Sequence, residues 1–360
     1  MKFDFVIGNP PYQEEKLGEN EGFAPPVYNK FLDAAYEVGD RVEMIHPARF
    51  LFNAGSTPKA WNEKMLQDEH FKILQFESDT KKIFANTSIT GGIAISYRDS
   101  SKEYGAIKVF TSYELLNKIL SKVTHSHDFE SMEKIVVTRT IYRLTPKLHE
   151  DFPCARYKED KDGNNIGMLS KGHDFDMSSN IFDRLPMVFF EEIPDDGYEY
   201  IKMLGRKNNN RKYMYIKREY VKDVFNLDKY KVILAKADGA AGTIGNPIPA
   251  RVLGTPTIEG PKTGTTESFI SVGAFEHTEE AVAAMKYIKT KFARCMLSVL
   301  KVTQEITPEK WKYVPLQDFT SDSDINWTVS ISEIDNQLFK KYGLSSDEIE
   351  FINKYVKEME

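Results

Sequence analysis

The sequence is poor in cysteine, in histidine and in long apolar runs, and each shortage excludes a class of protein. It holds 2 cysteines and 7 histidines in 360 residues. Cys154 and Cys295 show no CxxC or His-rich spacing, so we predict no bound metal and a reducing compartment. No apolar stretch reaches the roughly 20 residues that span a bilayer, and the amino terminus lacks a signal-peptide pattern. We therefore expect a cytoplasmic protein without a membrane partner.

A strong charge of one sign is also missing from the chain as a whole. The formal net charge is −6, with 28% charged and 41% hydrophobic residues, an ordinary composition for a soluble chain. The small acidic excess does not argue against a nucleic-acid partner, because a binding face is a local property. The length predicts two domains or so, since one domain usually takes about 100–200 residues.

The most informative segment is Asn9-Pro10-Pro11-Tyr12, which directly follows the apolar run from Phe3 to Gly8. A planar amine or amide nitrogen is a poor nucleophile because its lone pair is delocalised. The Asn9 side-chain oxygen and the Pro10 carbonyl, held by two successive prolines, form rigid acceptors for the hydrogens of such a nitrogen. Tyr12 offers a stacking face, worth ~1–3 kcal/mol per base. A plain Pro-Pro turn is the alternative, and the position at a strand's end favours the chemical interpretation.

The pattern Phe-x-x-x-Ile-Gly-Asn-Pro-Pro-Tyr resembles the catalytic motif of S-adenosylmethionine-dependent N6-adenine DNA methyltransferases. The resemblance is to type II restriction-modification enzymes in which a target-recognition domain follows the catalytic domain. It implies that the adenine is flipped out of the duplex and methylated directly from S-adenosyl-L-methionine. The catalytic residues implied are Asn9, Pro10, Pro11 and Tyr12, the NPPY motif.

Two later segments match the order found in that family. The stretch from His46 to Leu51 is similar to the strand end that comes after the motif. Lys82-Ile83-Phe84, followed by Thr90 to Ile95, is similar to a segment whose Phe stacks on the flipped adenine opposite the catalytic Tyr. Phe84 is therefore a candidate for stacking on the target base, with a plain core position as the alternative.

The glycine-rich loop that holds S-adenosylmethionine lies upstream of this motif in the family, and only eight residues precede Asn9 here. We therefore expect the main cofactor-binding motif to be absent from this chain. The resemblance covers the second half of a catalytic domain and the region after it. A truncation, a split frame and one piece of a two-chain enzyme all remain open, with an upstream methyltransferase or nuclease segment or subunit as a candidate partner.

Hydrophobic periodicity predicts an α/β fold for the first region, residues 1–104. A polar loop from Glu14 to Pro26 is followed by alternating helices and strands, which indicates a doubly wound, parallel sheet. The resemblance implies that this sheet is part of a Rossmann-like methyltransferase fold. It further implies that residues 105–325 form an α+β target-recognition domain that binds DNA, followed by a C-terminal helical tail at residues 326–360. In the second region, Glu280 to Leu300 is predicted as one helix. In the tail we predict two short helices, the second capped by Ser345.

A basic run between residues 202 and 222 is the predicted contact with double-stranded DNA. Eight basic residues stand there against the single acid Glu219, with tyrosines between them and Asn208-Asn209-Asn210 as a hairpin turn or a base reader. The predicted DNA-binding residues are Arg206, Lys207, Asn209, Arg211, Lys212, Lys217 and Arg218. The alternative is a solvated basic hairpin.

Other functions compete with adenine methylation. The same tetrapeptide occurs in enzymes that methylate RNA guanine or a glutamine amide of proteins, but those enzymes need little beyond the catalytic domain. A third hypothesis is a non-catalytic DNA-specificity module whose partial catalytic fold does not bind the methyl donor. Binding of S-adenosylmethionine discriminates this module from the enzyme.

Overall fold

The computed structural model describes residues 3–14, 24–52, 56–84, 89, 91–301 and 304–359. Most of the predicted polar loop from Glu14 to Pro26, and Thr90 of the later family-like segment, lie outside the described residues. The chain divides into two compact units, residues 1–117 and 118–360. Each unit mixes helices with β-sheet, which confirms the α/β class at this level.

Strands and helices alternate in the first unit, as the periodicity predicts. The elements are β1 (Phe3–Gly8), α1 (Tyr28–Val38), β2 (Gly39–Pro47), α2 (Lys59–Gln67), β3 (Phe71–Glu77) and β4 (Ile93–Asp99). A further helix, α3 (Glu114–Thr124), spans the boundary between the units.

The four strands of the first unit form one sheet in the order β1-β2-β4-β3. β1 is parallel to β2, whereas β4 runs antiparallel to both β2 and β3. The prediction of a wholly parallel sheet is therefore wrong for β4. Antiparallel neighbours need no crossover helix, and none is seen in the described part of the connection from β3 to β4. Gly92 ends that connection with φ +84°, where a Cβ would come within 2.7 Å of the Glu77 carbonyl oxygen.

One face of this sheet holds the core of the first unit and the other does not. Val42 and Met44 of β2 are buried in one cluster with residues of α1 and α2. The opposite face of β1 presents Phe3, Phe5 and Ile7, which are 52%, 44% and 75% exposed. We call these three residues the open face.

The second unit holds two sheets and most of the helices. Its strands are β5 (Val136–Val137), β6 (Tyr200–Lys207), β7 (Asn210–Lys217), β8 (Tyr230–Ala235), β9 (Thr257–Glu259), β10 (Thr263–Thr265) and β11 (Phe269–Phe275). They form the sheets β10-β6-β7 and β5-β11-β8-β9. Its further helices are α4 (Pro146–Asp151), α5 (Ile181–Arg184), α6 (Thr278–Lys289), α7 (Lys291–Ser298), α8 (Ile331–Lys341) and α9 (Ser346–Tyr355).

The single helix predicted from Glu280 to Leu300 is wrong, because the chain breaks at Thr290 into α6 and α7. The Thr290 hydroxyl accepts a hydrogen bond from the Ala293 amide and donates one to the Tyr287 carbonyl. It thus ends one helix and caps the next. One Thr inside a continuous apolar stripe is a weak sequence signal, which is why periodicity extends the helix across it.

The two C-terminal helices are confirmed, with Ser345 as a cap. Ser330 and Ser345 each form a capping box with the glutamate three residues on. Both helices pack within the second unit: Asp335 of α8 accepts from the Phe292 amide of α7 at 2.9 Å, and Lys291 of α7 donates from Nζ to the side-chain oxygen of Asn353 in α9 at 2.9 Å.

Candidate functional site

Three strands of the first unit end at one edge of the sheet. β1 is parallel to β2, and β4 lies antiparallel to both β2 and β3, so β1, β2 and β3 point the same way. The NPPY motif follows β1, Ala48 follows β2, and Ser78 to Phe84 follow β3. Open α/β sheets bind their ligands at the carboxyl ends of such strands.

The NPPY motif is tied to the start of α1 by backbone hydrogen bonds. The Val27 amide donates to the Tyr12 carbonyl at 3.1 Å, and the Glu14 amide donates to the Pro25 carbonyl at 3.0 Å. These bonds fix the loop on either side of the part that the structure does not describe. The motif is therefore held against the helix after it as well as by β1.

The acceptor atoms predicted for the target nitrogen have no hydrogen-bond partner among the described residues. Neither the Asn9 side chain, which is exposed, nor the Pro10 carbonyl makes a hydrogen bond with any residue that the structure describes. Tyr12 is half-buried, and burial raises the pKa of its hydroxyl. That hydroxyl oxygen is buried and has no partner among the described residues. A buried hydroxyl without a partner is costly, so this atom is suited to meet a ligand or a further segment.

The segment from His46 to Leu51 is structural at its centre. His46 is buried, and its Nε2 lies 2.7 Å from the Ser96 hydroxyl, while its Nδ1 lies 3.1 Å from the Pro47 carbonyl. Burial lowers the pKa of His46 to about 4. Phe50 and Leu51 are also buried. This strand end therefore supports the edge of the sheet and offers no reactive histidine.

Phe84 lies at the same edge of the sheet, beyond β3. It is half-buried and stands outside the buried core, and its amide donates to the Thr80 carbonyl at 2.8 Å. β3 is three strand positions from β1, or about 14 Å at the usual strand spacing. The loops after the two strands would have to reach toward each other for Phe84 and Tyr12 to stack on one base.

The basic run forms a two-stranded hairpin, which is compatible both with the predicted DNA contact and with a solvated basic hairpin. β6 and β7 pair from Tyr200–Lys217 to Lys207–Asn210, with Asn208 and Asn209 as the two-residue turn. Both turn residues have positive φ, 47° and 62°, which asparagine tolerates.

Acids from outside the basic run neutralise much of its charge. Lys207 and Lys212 share Glu191, at 3.2 and 2.5 Å, and Lys217 lies 3.7 Å from Asp196. Two further ion pairs join Arg218 to Asp223 and Asp228, at 2.8 and 2.7 Å. The net positive charge of the hairpin, once these neighbouring acids are included, is thus much smaller than the charge counted along the basic run of the sequence.

Two of the predicted arginines have neutral partners instead. Arg206 donates from Nη1 to the Asn209 side-chain oxygen at 3.0 Å, and Arg211 donates from Nη2 to the Thr257 hydroxyl at 3.0 Å. The Arg211 guanidinium also lies over the Phe269 ring, 5.3 Å from its centroid. Of the seven residues predicted to contact DNA, these two arginines and Asn209 keep the most capacity for a new partner.

The comparisons with known proteins concern mainly the first unit. Residues 1–84 match the family model of the Eco57I restriction-modification methylase. An uncharacterized adenine-specific methylase of Mycoplasma pneumoniae is 30% identical over 95 residues, which make up 26% of this chain and 22% of that protein. This chain thus spans about a fifth of the length of that relative. The matched family residues include the whole NPPY motif.

A solved structure resembles the chain at a lower level. The type IIG restriction endonuclease BpuSI has 10% sequence identity to it, with 92% of this chain and 48% of the other covered, at a TM-score of 0.33.

Within the described residues, none of the helices is long and apolar enough to cross a membrane.

Proposed function

We propose that this chain takes part in site-specific N6-adenine methylation of DNA in a restriction-modification system. The observation that carries the proposal is the placement of Asn9 to Tyr12 directly after a parallel strand, at the edge where β2 and β3 also end. The match of residues 1–84 to a restriction-modification methylase family, and the name of the Mycoplasma pneumoniae relative, support it.

In the proposed reaction the target adenine leaves the duplex, at a cost of a few kcal/mol, and stacks between Tyr12 and Phe84. The Asn9 side-chain oxygen and the Pro10 carbonyl accept its two N6 hydrogens, which turns the nitrogen lone pair toward the methyl donor. S-adenosylmethionine, when bound, supplies an activated methyl group. Transfer of that methyl group to N6 would release one N6 proton, so the reaction would need orientation by Asn9 and Pro10 more than a strong base. Pro11 keeps the acceptors rigid.

A second part of the proposal concerns the donor-binding half of the fold. A parallel strand normally has neighbours and both faces covered. β1 is an edge strand in the described sheet, and its open face leaves Phe3, Phe5 and Ile7 exposed. We propose that a segment carrying the S-adenosylmethionine-binding loop, on the same or another polypeptide, adds a strand to this edge and covers the open face. The free acceptors of Asn9 and Pro10 fit the reacting end of such a site.

Residues 105–325 are assigned to target recognition, and the helices of residues 326–360 lie in the second unit, which holds most of that region. The hairpin of β6 and β7 is proposed to contact double-stranded DNA. Arg206, Asn209 and Arg211 are the residues most available to contact DNA. The other four predicted residues already form ion pairs with acidic side chains, which would have to be broken or shared: Lys207, Lys212, Lys217 and Arg218. Phosphate contacts fix the register of the protein on the duplex, and base contacts select the sequence.

Methyl transfer tests the proposal. The chain is incubated with labelled S-adenosylmethionine and mixed-sequence duplex DNA, alone and with a lysate of the source cells, and the DNA is digested to nucleosides. In the arm with lysate we expect label in N6-methyladenine that depends on the added chain and disappears with Asn9→Ala, whereas the chain alone should give none. The same lysate without the chain is the control.

The other outcomes separate the alternatives. Label in RNA guanine or in protein glutamine would show that the substrate is RNA or protein and not DNA. Label in DNA that persists with Asn9→Ala would remove the NPPY motif from the chemistry. Absence of label in both arms, with duplex binding retained, would favour a non-catalytic DNA-specificity module.

A further inference from the structure

A cleft in the second unit brings together residues that lie far apart in the sequence. Its volume is about 380 Å³, within the range of about 300–1,000 Å³ usual for ligand sites. Three segments meet there: the start of α5, the turn of the β6–β7 hairpin, and the chain after β8 beside the residue before β11. The residues that line the cleft include Asn180, Asp183, Arg206, Asn209, Lys236 and Ser268.

The wall formed by the hairpin turn is fixed by its own hydrogen bonds. The Asn208 amide donates to Asp183, 3.1 Å from Oδ1, which ties the turn to α5. Arg206 donates from Nη1 to the Asn209 side-chain oxygen at 3.0 Å. The Nε and Nη2 groups of Arg206 make no hydrogen bond with any described residue. The cleft is therefore preorganised and keeps donors of a guanidinium to offer.

The cleft lining also includes a lysine whose backbone is fixed by hydrogen bonds and whose ammonium contacts no hydrogen-bonding partner among the described residues. The Lys236 amide donates to the Ser268 carbonyl at 3.0 Å, and the Lys236 carbonyl accepts from the Ile306 amide at 2.9 Å. Its side chain makes neither a hydrogen bond nor an ion pair with any residue in the described ranges. An ammonium has three donors and no acceptor, so Lys236 can bind only a group that accepts.

The cleft as a whole has more donors than acceptors, yet it contains one acid. The Asn180 side-chain oxygen accepts from the Ser178 hydroxyl at 3.2 Å, which leaves the Asn180 amide N–H groups to donate. Lys236 and Arg206 give two positive charges against Asp183. Free donors and excess positive charge favour a phosphate, whereas the carboxylate disfavours a bare anion and favours a ligand that also carries amino hydrogens. A nucleotide has both groups.

We infer that this cleft holds one nucleotide of the DNA target, with its phosphate on Lys236 and Arg206 and its base edge facing Asn180 and Asp183. The inference rests on the proposed function, and it names a place in the second unit where one contact fixes register and another reads a base. Asn180, Asp183 and Lys236 lie outside the basic run that the sequence indicates.

The phosphate contact is tested with the full-length chain and a fluorescein-labelled mixed-sequence duplex, by anisotropy between about 50 and 200 mM salt. Lys236→Ala should weaken binding on the order of tenfold at fixed salt, as expected for a hydrogen bond to a charged group. It should also lower the slope of log affinity against log salt by about 0.9, the value for one phosphate. Lys236→Arg should restore most of the affinity.

Lys357→Ala is the matched control, since Lys357 is an exposed lysine of the same unit outside the cleft. Equal behaviour of Lys236→Ala and Lys357→Ala, while the wild type binds, would overturn the inference and leave the proposed function standing. Failure of the wild type to bind any duplex would overturn the proposed DNA substrate, and the cleft assignment with it. Displacement of the duplex by inorganic phosphate as readily as by a mononucleotide would reduce the cleft to a general anion site and overturn the base contact.

The base contact is tested by selection from a pool of randomised duplexes. Asn180→Ala should relax the preference at one position of the selected sequence, whereas Lys236→Ala should leave the preference unchanged and lower affinity uniformly. An unchanged preference with Asn180→Ala would overturn the base-reading role.

Discussion

The two units of this chain differ in where they expose large apolar side chains: the second unit does so mainly in loops, whereas the first has three of them together on one edge strand. The second unit closes its sheets with helices, and its large side chains such as Trp311, Tyr287 and Phe182 are fully buried. The first unit covers one face of its sheet and leaves Phe3, Phe5 and Ile7 exposed on an edge strand. Exposed apolar patches of this kind usually mark contact surfaces. The comparison is consistent with the proposal that the second unit recognises DNA and that the sheet of the first unit needs a further partner segment.

The largest contrast in stability is expected when one buried isoleucine and one isoleucine of the open face are each replaced by aspartate. Ile201→Asp places an unpaired carboxylate in the core of the second unit and should cost roughly 4 kcal/mol or more in stability. Ile7→Asp should change stability by no more than about 0.5 kcal/mol, because that side chain is already in water. Urea unfolding followed by hydrogen exchange in peptides of each unit measures both. Equal destabilisation by the two variants would show that the open face is covered within the chain itself.

The next effect concerns chemistry at the edge of the first unit. Asn9→Ala removes one of two preorganised acceptors and should lower methyl transfer about 10²–10³-fold in the assembled enzyme, as loss of one such group does elsewhere. DNA affinity should stay within about twofold, because the proposed contacts with the duplex lie in the second unit. Gln13→Ala, an exposed neighbour in the same loop, is the control. Equal loss of transfer and of affinity would contradict the role given to Asn9.

A smaller effect is expected on the pH dependence of the stability of the first unit. Burial holds the pKa of His46 at about 4, below the ordinary 6.5, so the neutral ring donates from Nδ1 to the Pro47 carbonyl and accepts from the Ser96 hydroxyl. The stability that this histidine contributes is fully present above pH 6.5 and falls as the pH drops toward 4, by about 3 kcal/mol.

Hydrogen exchange in β2 and β4 across that pH range measures the loss. His46→Gln keeps polar groups at the position without a titration, so its slope with pH should be shallower than that of the wild type. The same slope in both proteins would assign the acid lability of the first unit to other groups.

The smallest effect concerns the paired charges of the hairpin. Glu191→Gln releases Lys207 and Lys212 from their shared acid, so duplex binding should strengthen and its salt slope should steepen by up to about 2. Glu192→Gln makes the same change of charge at the neighbouring exposed acid and should do less. Weaker binding with Glu191→Gln would mean that the pairs hold the hairpin in its binding geometry.

Local signals in the sequence predict local structure well in this chain. The Ser330 and Ser345 capping boxes and the Asn208-Asn209 turn depend on residues a few positions apart, so they can be recognised directly. The strand and helix order of the first unit follows from periodicity for the same reason. The direction of β4 could not be inferred in this way, because it depends on pairing with β2, about fifty residues upstream.

The site is harder to predict wherever distant segments meet. The basic run has one acid within it, but Glu191 and Asp196 precede it and Glu259 follows it by some forty residues, and all three form ion pairs with its lysines. Lys236 stands in a stretch rich in small residues, and nothing local shows that it faces the hairpin turn. The NPPY motif is different because the chemistry proposed for it resides in four consecutive residues.

The most direct test of the account is to titrate one preparation of the chain with two ligands. Binding of mixed-sequence duplex DNA should be saturable, with an affinity that falls steeply as the salt concentration rises. Binding of S-adenosylmethionine should not be saturable until a segment with its binding loop is supplied. That result would match a complete recognition unit beside an incomplete catalytic sheet. Saturable binding of S-adenosylmethionine to the chain alone at one molecule per site, or a duplex that fails to bind, would contradict it.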